Sequence, residues 1–244
     1  MKLRHSPLRI FLLVLGILAI LGVIIVALND RKQTRIVSEK PFQERINVVL
    51  SEPETRIIVK QEKTYEYRIE YPFFNNSVVD SEIQSYVDAV YTSFETDLKQ
   101  AYVPELLSQF VPIAEIDYQI KKSGTVTTVV FNGYQYTGGA HPNSFVHTIA
   151  FEGEQKILLD SLFAVPQSEY LPRLQSISTT VLEQKIGKES LFYEGLEPRI
   201  ENYQHWYVLE NALVILFSPY QVGPYAIGMP EVTIPFAQIQ DILE

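Results

Sequence analysis

The sequence predicts an α+β fold in which a mainly antiparallel sheet carries two principal helices, together with an N-terminal transmembrane helix. Three observations support this prediction. An uncharged run of nineteen residues lies near the N-terminus. Two later segments have apolar residues at helical spacing, and several short β-branched or alternating segments lie between turn residues. The order strands, helix, strands, helix, strands is typical of helices packed on an antiparallel sheet.

The uncharged run, residues 10–28, predicts a membrane anchor. A helix of this length covers about 28 Å, close to the thickness of the hydrocarbon layer of a bilayer. Basic residues precede the run and the first acidic residue is Asp30, so we expect 1–9 in the cytoplasm and 30–244 outside it. The run is longer than a signal-peptide core and lacks a small-residue cleavage site, which favours an uncleaved, single-pass anchor at the cell membrane.

The part beyond the anchor is acidic and contains no cysteine. It carries 17 of the 20 Lys and Arg and all 29 Asp and Glu, a net charge of −12. This charge argues against nucleic acid as a partner and suits either a cationic partner or simple solubility. The lack of cysteine excludes disulfides, thiol nucleophiles and zinc sites built on cysteine.

We predict that a polar tether over residues 30–53 precedes two α+β subdomains, 54–145 and 146–244. Alternating Tyr and charged residues in the second expected strand indicate that one of its faces is buried. Nine strands are expected, at 56–60, 65–71, 116–121, 125–136, 145–151, 156–159, 205–209, 213–217 and 232–234.

Apolar stripes predict the helices at residues 78–101 and 168–186. Ser77 and Asp80 resemble a capping box for the first helix. Ser168 is the expected N-cap of the second helix, and Gly187 its end. A short terminal helix is expected at 236–243.

The segment Thr137–Asn143 is a candidate binding loop between two strands. Its glycines permit positive φ or close approach of a ligand to the backbone. In one interpretation it only shapes a strand connection; in the other it forms a site rimmed by an imidazole. The candidate binding residues are Gly138, Gly139, His141 and Asn143.

The segment Pro219–Pro230 is a second candidate. Two Pro-Tyr pairs and two glycines are incompatible with a regular helix or a central strand, so we expect an ordered, irregular loop. Tyr220, Pro224 and Tyr225 are the candidate binding residues. The tyrosines either form rigid anchors of a binding surface or are buried with their hydroxyls bonded to the backbone.

Catalytic and metal-binding signatures are missing from the sequence. It contains no P-loop, G-x-S-x-G, S-x-x-K or H-E-x-x-H. His141 and His147 would share a face of a regular strand, but two histidines alone do not make a metal site. We therefore expect no catalytic residue, no metal and no cofactor. A cell-wall hydrolase using two unlocated carboxylates remains an alternative.

Three motifs carry a resemblance to a bacterial extracytoplasmic domain family. They are Gly138–Asn143, Ile157–Phe163 and Phe217–Ala226, and Tyr71-Pro72-Phe73 resembles the companion domain that precedes the family's domain. The family includes the lysozyme-sensing ectodomain of the sigma-V-type anti-sigma factor and the accessory region of PdaC-type peptidoglycan deacetylases. The short N-terminal tail and the C-terminus at residue 244 lead us to expect neither sigma-factor binding nor deacetylase activity.

The resemblance implies a membrane-anchored, extracytoplasmic binding module of the cell envelope. Its expected partner is a cationic protein such as lysozyme, or peptidoglycan. Two alternatives stay open: the hydrolase, and a structural envelope protein that assembles through small residues of its membrane helix, Gly16, Ala19 and Gly22.

Overall fold

The computed structural model describes residues 50–62, 65–100, 111–138 and 141–244. The predicted cytoplasmic tail, membrane anchor and most of the tether lie outside these residues. Within the described ranges, no helix has the length and apolar character needed to cross a membrane. The chain from Asn47 to Glu244 forms one compact unit.

The larger of two sheets has six strands in sequence order. All neighbouring strands are antiparallel except β2 and β3, which run parallel. A parallel pair needs a long crossover connection, and the helix α1, Ser77–Gln100, lies in that connection. The predicted mainly antiparallel sheet is thus confirmed, with one parallel pair. The strands are β1 Glu54–Gln61, β2 Glu66–Phe73, β3 Ile113–Ser123, β4 Val126–Tyr136, β5 Asn143–Glu152 and β6 Gln155–Ile157.

The smaller sheet has three antiparallel strands and packs with the second helix. Its strands are β7 Trp206–Leu209, β8 Ala212–Leu216 and β9 Glu231–Pro235. The helix α2, Gln167–Ile186, buries Leu171, Leu174 and Leu182 in one core with apolar residues of these strands. Short 3₁₀ turns connect the remaining elements of the described chain.

The two faces of the large sheet have different neighbours because its side chains alternate. On one face, the α1 residues Val79, Ile83, Val87 and Phe94 pack in the same core as β2, β3, β4 and β5. On the other face, two valines contact the small sheet in a separate cluster: Val130, Val146, Tyr207, Val214 and Leu216. The six-stranded sheet therefore lies between α1 and the small sheet.

The N-terminus of α1 differs from the predicted capping box. Asn76 is the cap: its side-chain oxygen accepts from the backbone N–H of Val78 at 3.1 Å and of Val79 at 3.2 Å. The Asp80 carboxylate accepts instead from the N–H groups of Phe74 and Asn76. Asp80 thus satisfies donors of the preceding loop, and the Ser77 cap was placed one residue too late.

The ends of the other predicted helices also needed correction. The helix α2 begins at Gln167 after Pro166 and has no side-chain cap, so Ser168 lies inside its first turn. Gly187 ends it as predicted, with φ of 81° and its N–H donating to the Glu183 carbonyl. The expected terminal helix consists of two 3₁₀ turns, Phe236–Gln238 and Gln240–Ile242.

The start of the folded unit includes residues assigned to the tether. Leu50 is buried in the core beneath α1, and Lys122 donates to the Leu50 carbonyl at 3.2 Å and contacts the Glu52 carboxylate at 2.7 Å. The division into two subdomains stays a prediction. The boundary proposed for it, between residues 145 and 146, falls inside β5.

Candidate binding site

The connection between β4 and β5 holds four of the predicted site residues. Gly138 has φ of 110°, a conformation that side chains other than glycine rarely adopt. Gly139 lies outside the described residues. His141 is exposed, and Asn143 is the first residue of β5, where it pairs with Gln135. Both interpretations of this segment fit the geometry, because it shapes a hairpin and presents an imidazole.

The segment 219–230 contains no α-helix and no strand, as its prolines and glycines predict. Tyr220 has φ of 65°, which is unfavourable for a residue with a side chain, and its side chain is 51% exposed. Pro224 is exposed and precedes a 3₁₀ turn, Tyr225–Ile227, in which Tyr225 is partly buried. Neither tyrosine is fully buried, so their role as anchors of a binding surface stays a prediction.

Gln221 fixes this loop to the rest of the protein. Its side-chain amide donates to the carbonyls of Gly195 at 3.2 Å and Asn202 at 2.9 Å. Its side-chain oxygen accepts from the N–H of Ser218 at 3.1 Å. The next residue, Val222, is buried in the core of α2 and the small sheet. The loop is therefore irregular but held at several points.

The structure brings the two candidate segments together. The Tyr220 hydroxyl lies 3.0 Å from Nε2 of His141. The His141 ring stacks on the Tyr225 ring, with centroids 4.3 Å apart and planes inclined by 22°. The two tyrosine rings are 5.5 Å apart. We call these three residues, His141, Tyr220 and Tyr225, the aromatic cluster.

The hydrogen bonds of His141 define its tautomer. Its Nδ1 is 2.8 Å from the carbonyl oxygen of Pro142, which can only accept, so Nδ1 carries the proton. With the proton on Nδ1 alone, Nε2 accepts from the Tyr220 hydroxyl. The cluster thus offers two aromatic faces and a fixed imidazole at the protein surface.

The second histidine of the predicted pair has different surroundings. His147 lies in β5 on the face turned to α1, where its ring stacks on Tyr86 with centroids 4.1 Å apart. His141 lies before the first residue of β5, Asn143. The side-chain alternation of the strand therefore does not include His141, and the two histidines do not share a face. Among the described residues, no three His, Cys, Asp or Glu are grouped so that they could hold a metal ion.

His147 instead pairs with His205, which sequence analysis did not single out. The two rings are 5.5 Å apart. Burial lowers the pKa of each to about 4, and the neighbouring His205 and Lys156 lower the pKa of His147 further. Burial also raises the pKa of Tyr86. These groups are therefore neutral near pH 7, and His147 and Tyr86 belong to the packing of α1 against the sheet.

Comparisons with known proteins match the chain in two parts. Residues 58–144 match the family model described as "Deacetylase PdaC", and residues 160–237 match "Protein of unknown function (DUF3298)". The chain is 26% identical over 197 residues to the peptidoglycan-N-acetylmuramic acid deacetylase PdaC of Bacillus subtilis (strain 168). This match covers 78% of the chain but only 42% of the relative, so the chain spans less than half of that protein.

Two crystal structures share the fold. One is a DUF3298 family protein from Pseudomonas aeruginosa PAO1, with a TM-score of 0.56 and 14% identity, covering 80% of this chain and 96% of that one. The other is a DUF3298 family member from Bacteroides fragilis NCTC 9343, with a TM-score of 0.54 and 15% identity, covering 80% and 95%. At this identity the likeness concerns the fold alone.

The chain therefore resembles the proteins that combine a PdaC-like region with a DUF3298 domain, a domain family of unknown function, as its motifs predict. This similarity suggests an extracytoplasmic domain associated with the cell envelope. His141 lies in the PdaC-like match and both tyrosines lie in the DUF3298 match. The aromatic cluster thus joins the two matched regions.

Proposed function

We propose that this protein is a membrane-anchored binding module of the bacterial cell envelope and that it binds peptidoglycan through the aromatic cluster. Residues 10–28 would form the anchor, with the described unit outside the membrane. The observation that carries the proposal is the contact of His141 with both Tyr220 and Tyr225 at the surface.

The chemistry of the cluster suits a glycan. Aromatic faces bury the apolar side of a sugar ring, and the Tyr220 hydroxyl oxygen can accept from one of its hydroxyl groups. Because the rings already contact one another, little side-chain freedom is lost on binding. The Bacillus subtilis relative is named for an activity on peptidoglycan, which further supports this ligand.

Retention on purified peptidoglycan sacculi tests the proposal. We expect the full-length chain, purified in detergent, to sediment with sacculi and Tyr225→Ala to be retained at least five-fold less. Tyr225→Phe should be retained like the wild type, because it keeps the ring. Tyr193→Ala is the control, since Tyr193 is 44% exposed and lies outside the cluster.

Thermal unfolding of each variant separates loss of binding from loss of folding. Unchanged retention of Tyr225→Ala, in a protein that melts like the wild type, would overturn the assignment of the site. Equal losses in Tyr225→Ala and Tyr193→Ala would do the same.

A cationic lysozyme-like protein is a second candidate partner. It is favoured by the net charge of −12 over residues 30–244, which would accelerate encounter with a basic protein. Calorimetry with lysozyme should then show binding that weakens from low to physiological salt, because salt screens exposed charges. Absence of heat at either salt would remove this candidate.

A further inference from the structure

A groove crosses the large sheet on the face opposite α1, in the part where it is not packed on the small sheet. Four residues that lie side by side in the backbone register of β2 to β5 form its floor. Arg68 lies opposite Glu115, Glu115 opposite Tyr134, and Tyr134 opposite Ser144. Met229 of the segment 219–230 also lines it. The groove encloses about 410 Å³.

The groove has an excess of negative charge. Among the described residues that line it, the one cation, Arg68, forms an ion pair with Glu70. Asp117 accepts a hydrogen bond from the side-chain amide of Asn132 at 3.0 Å. Because this amide is neutral, the bond does not compensate the charge of the carboxylate. Neither Glu115 nor Asp117 contacts a cationic side chain in the part of the chain that the structure describes. Two carboxylates therefore face the groove without a counter-charge.

An aromatic ring lies between these polar groups. Tyr134 is 39% exposed, although it lies in a strand whose preceding residues are largely buried. Its neighbours across the strands are Glu115 on one side and Ser144 on the other. An open aromatic side chain flanked by carboxylate, amide and hydroxyl groups can pack against one face of a sugar and bond to its edge.

We propose that this groove binds a glycan with free amino groups, with Tyr134 packing against a sugar ring and Glu115 and Asp117 pairing with the ammonium groups. The inference rests on the proposed function and names the chemistry of its ligand. The acetamido group of an acetylated amino sugar is neutral and would leave both carboxylates partly desolvated without a partner, whereas an ammonium group compensates them. Four adjacent strands span about 14 Å, enough for a short oligosaccharide.

Calorimetry with two matched oligosaccharides tests the inference on the full-length chain. We expect a glucosamine hexasaccharide to bind at least ten-fold more tightly than the N-acetylglucosamine hexasaccharide. Glu115→Gln and Asp117→Asn should each reduce this preference at least three-fold. Tyr134→Ala should weaken binding of both sugars, because both pack against the ring.

The control for overall charge is Glu210→Gln, which removes the same charge from the exposed turn between β7 and β8. It should leave both affinities unchanged. The inference would be overturned if Glu210→Gln reduced the preference for the glucosamine hexasaccharide as much as Glu115→Gln does. It would also be overturned if oligolysine bound as tightly as that hexasaccharide and Tyr134→Ala did not weaken its binding. Both results would indicate general attraction of cations to an acidic protein.

The failures of the two proposals are distinguishable. If both hexasaccharides bind equally and Tyr225→Ala weakens them, peptidoglycan binding stands and amine selection falls. If neither sugar binds while sacculi retain the protein, the groove is overturned and the aromatic cluster is judged by the sedimentation assay alone.

Discussion

The Tyr220 hydroxyl and Nε2 of His141 lie 3.0 Å apart, although 79 positions separate the two residues in the chain. Tyr220 holds this position with a positive φ, which costs on the order of 1 kcal/mol for a residue with a side chain. A half-exposed ring does not repay that cost by burial. This combination of backbone strain and exposure is typical of residues kept for binding rather than for folding.

The contribution of this hydrogen bond can be isolated with a double-mutant cycle. Tyr220→Phe and His141→Phe each remove the bond and keep an aromatic ring. We expect a coupling of about 0.5–1 kcal/mol in the free energy of unfolding, measured in urea. A coupling near zero would show that the contact does not join the two loops in solution.

The position of the 219–230 loop should depend on Gly195. A Cβ at this residue would lie 1.8 Å from the carbonyl oxygen of Gln221, so Gly195→Ala must displace the loop. We expect a loss of at least about 2 kcal/mol in stability and weaker retention on sacculi. Gly124→Ala is the control: it is strained by its φ of 57° but meets no atom of the described chain within 4 Å, so it should cost about 1 kcal/mol and leave retention intact.

Stability should fall as the pH drops from 6.5 towards 4. The pKa of His147 and of His205 is lowered from 6.5 to about 4 in the folded protein. Below pH 6.5 the unfolded chain therefore binds protons that the folded chain does not, and each histidine removes up to about 2 kcal/mol between pH 6.5 and 5. Above pH 6.5 both forms are neutral and this contribution is constant.

Urea denaturation of the wild type and of His205→Phe at several pH values measures the effect. The variant should lose less stability between pH 6.5 and 5, because one titrating group is gone. The substitution breaks no hydrogen bond of the buried Nδ1 of His205, which has no partner among the residues that the structure describes. Identical pH dependence in both proteins would contradict the assignment to these histidines.

The residues just before β1 should contribute to folding. Leu50 is 6% exposed and packs in the core beneath α1, so Leu50→Ala should cost about 2–3 kcal/mol in the free energy of unfolding. Leu158→Ala makes the same change at a side chain that is 63% exposed and should cost less than about 0.5 kcal/mol. Equal effects would place Leu50 outside the folded unit.

Local patterns in the sequence were sufficient to predict most elements of the fold. The alternation over residues 65–71 marks a strand with one buried face, and the structure buries Tyr67, Ile69 and Tyr71 there. The apolar stripe of α1 likewise contains Val79, Ile83 and Phe94, which are all buried. The same alternation placed Arg68 and Glu70 on the opposite face, which is the face of the groove.

Helix ends were predicted less well, because several side chains can satisfy the same N–H groups. Ser77 is a good cap by type, but Asn76 forms the bonds, since Asp80 bonds to the preceding turn and thereby fixes the start of the helix one residue earlier. That choice depends on the path of the incoming chain, which the local sequence does not specify.

Within the described residues, the sequence by itself determined most strands, the two long helices and the irregular loop at 219–230, because the period of apolar residues reports which side of an element is buried. It also singled out His141, Tyr220 and Tyr225 by their unusual surroundings. Only the tertiary structure decided that these residues meet, that β2 and β3 run parallel, and that Glu115 and Tyr134 are neighbours in a groove. Such pairings depend on contacts between distant segments, and a period along one segment carries no information about its partner.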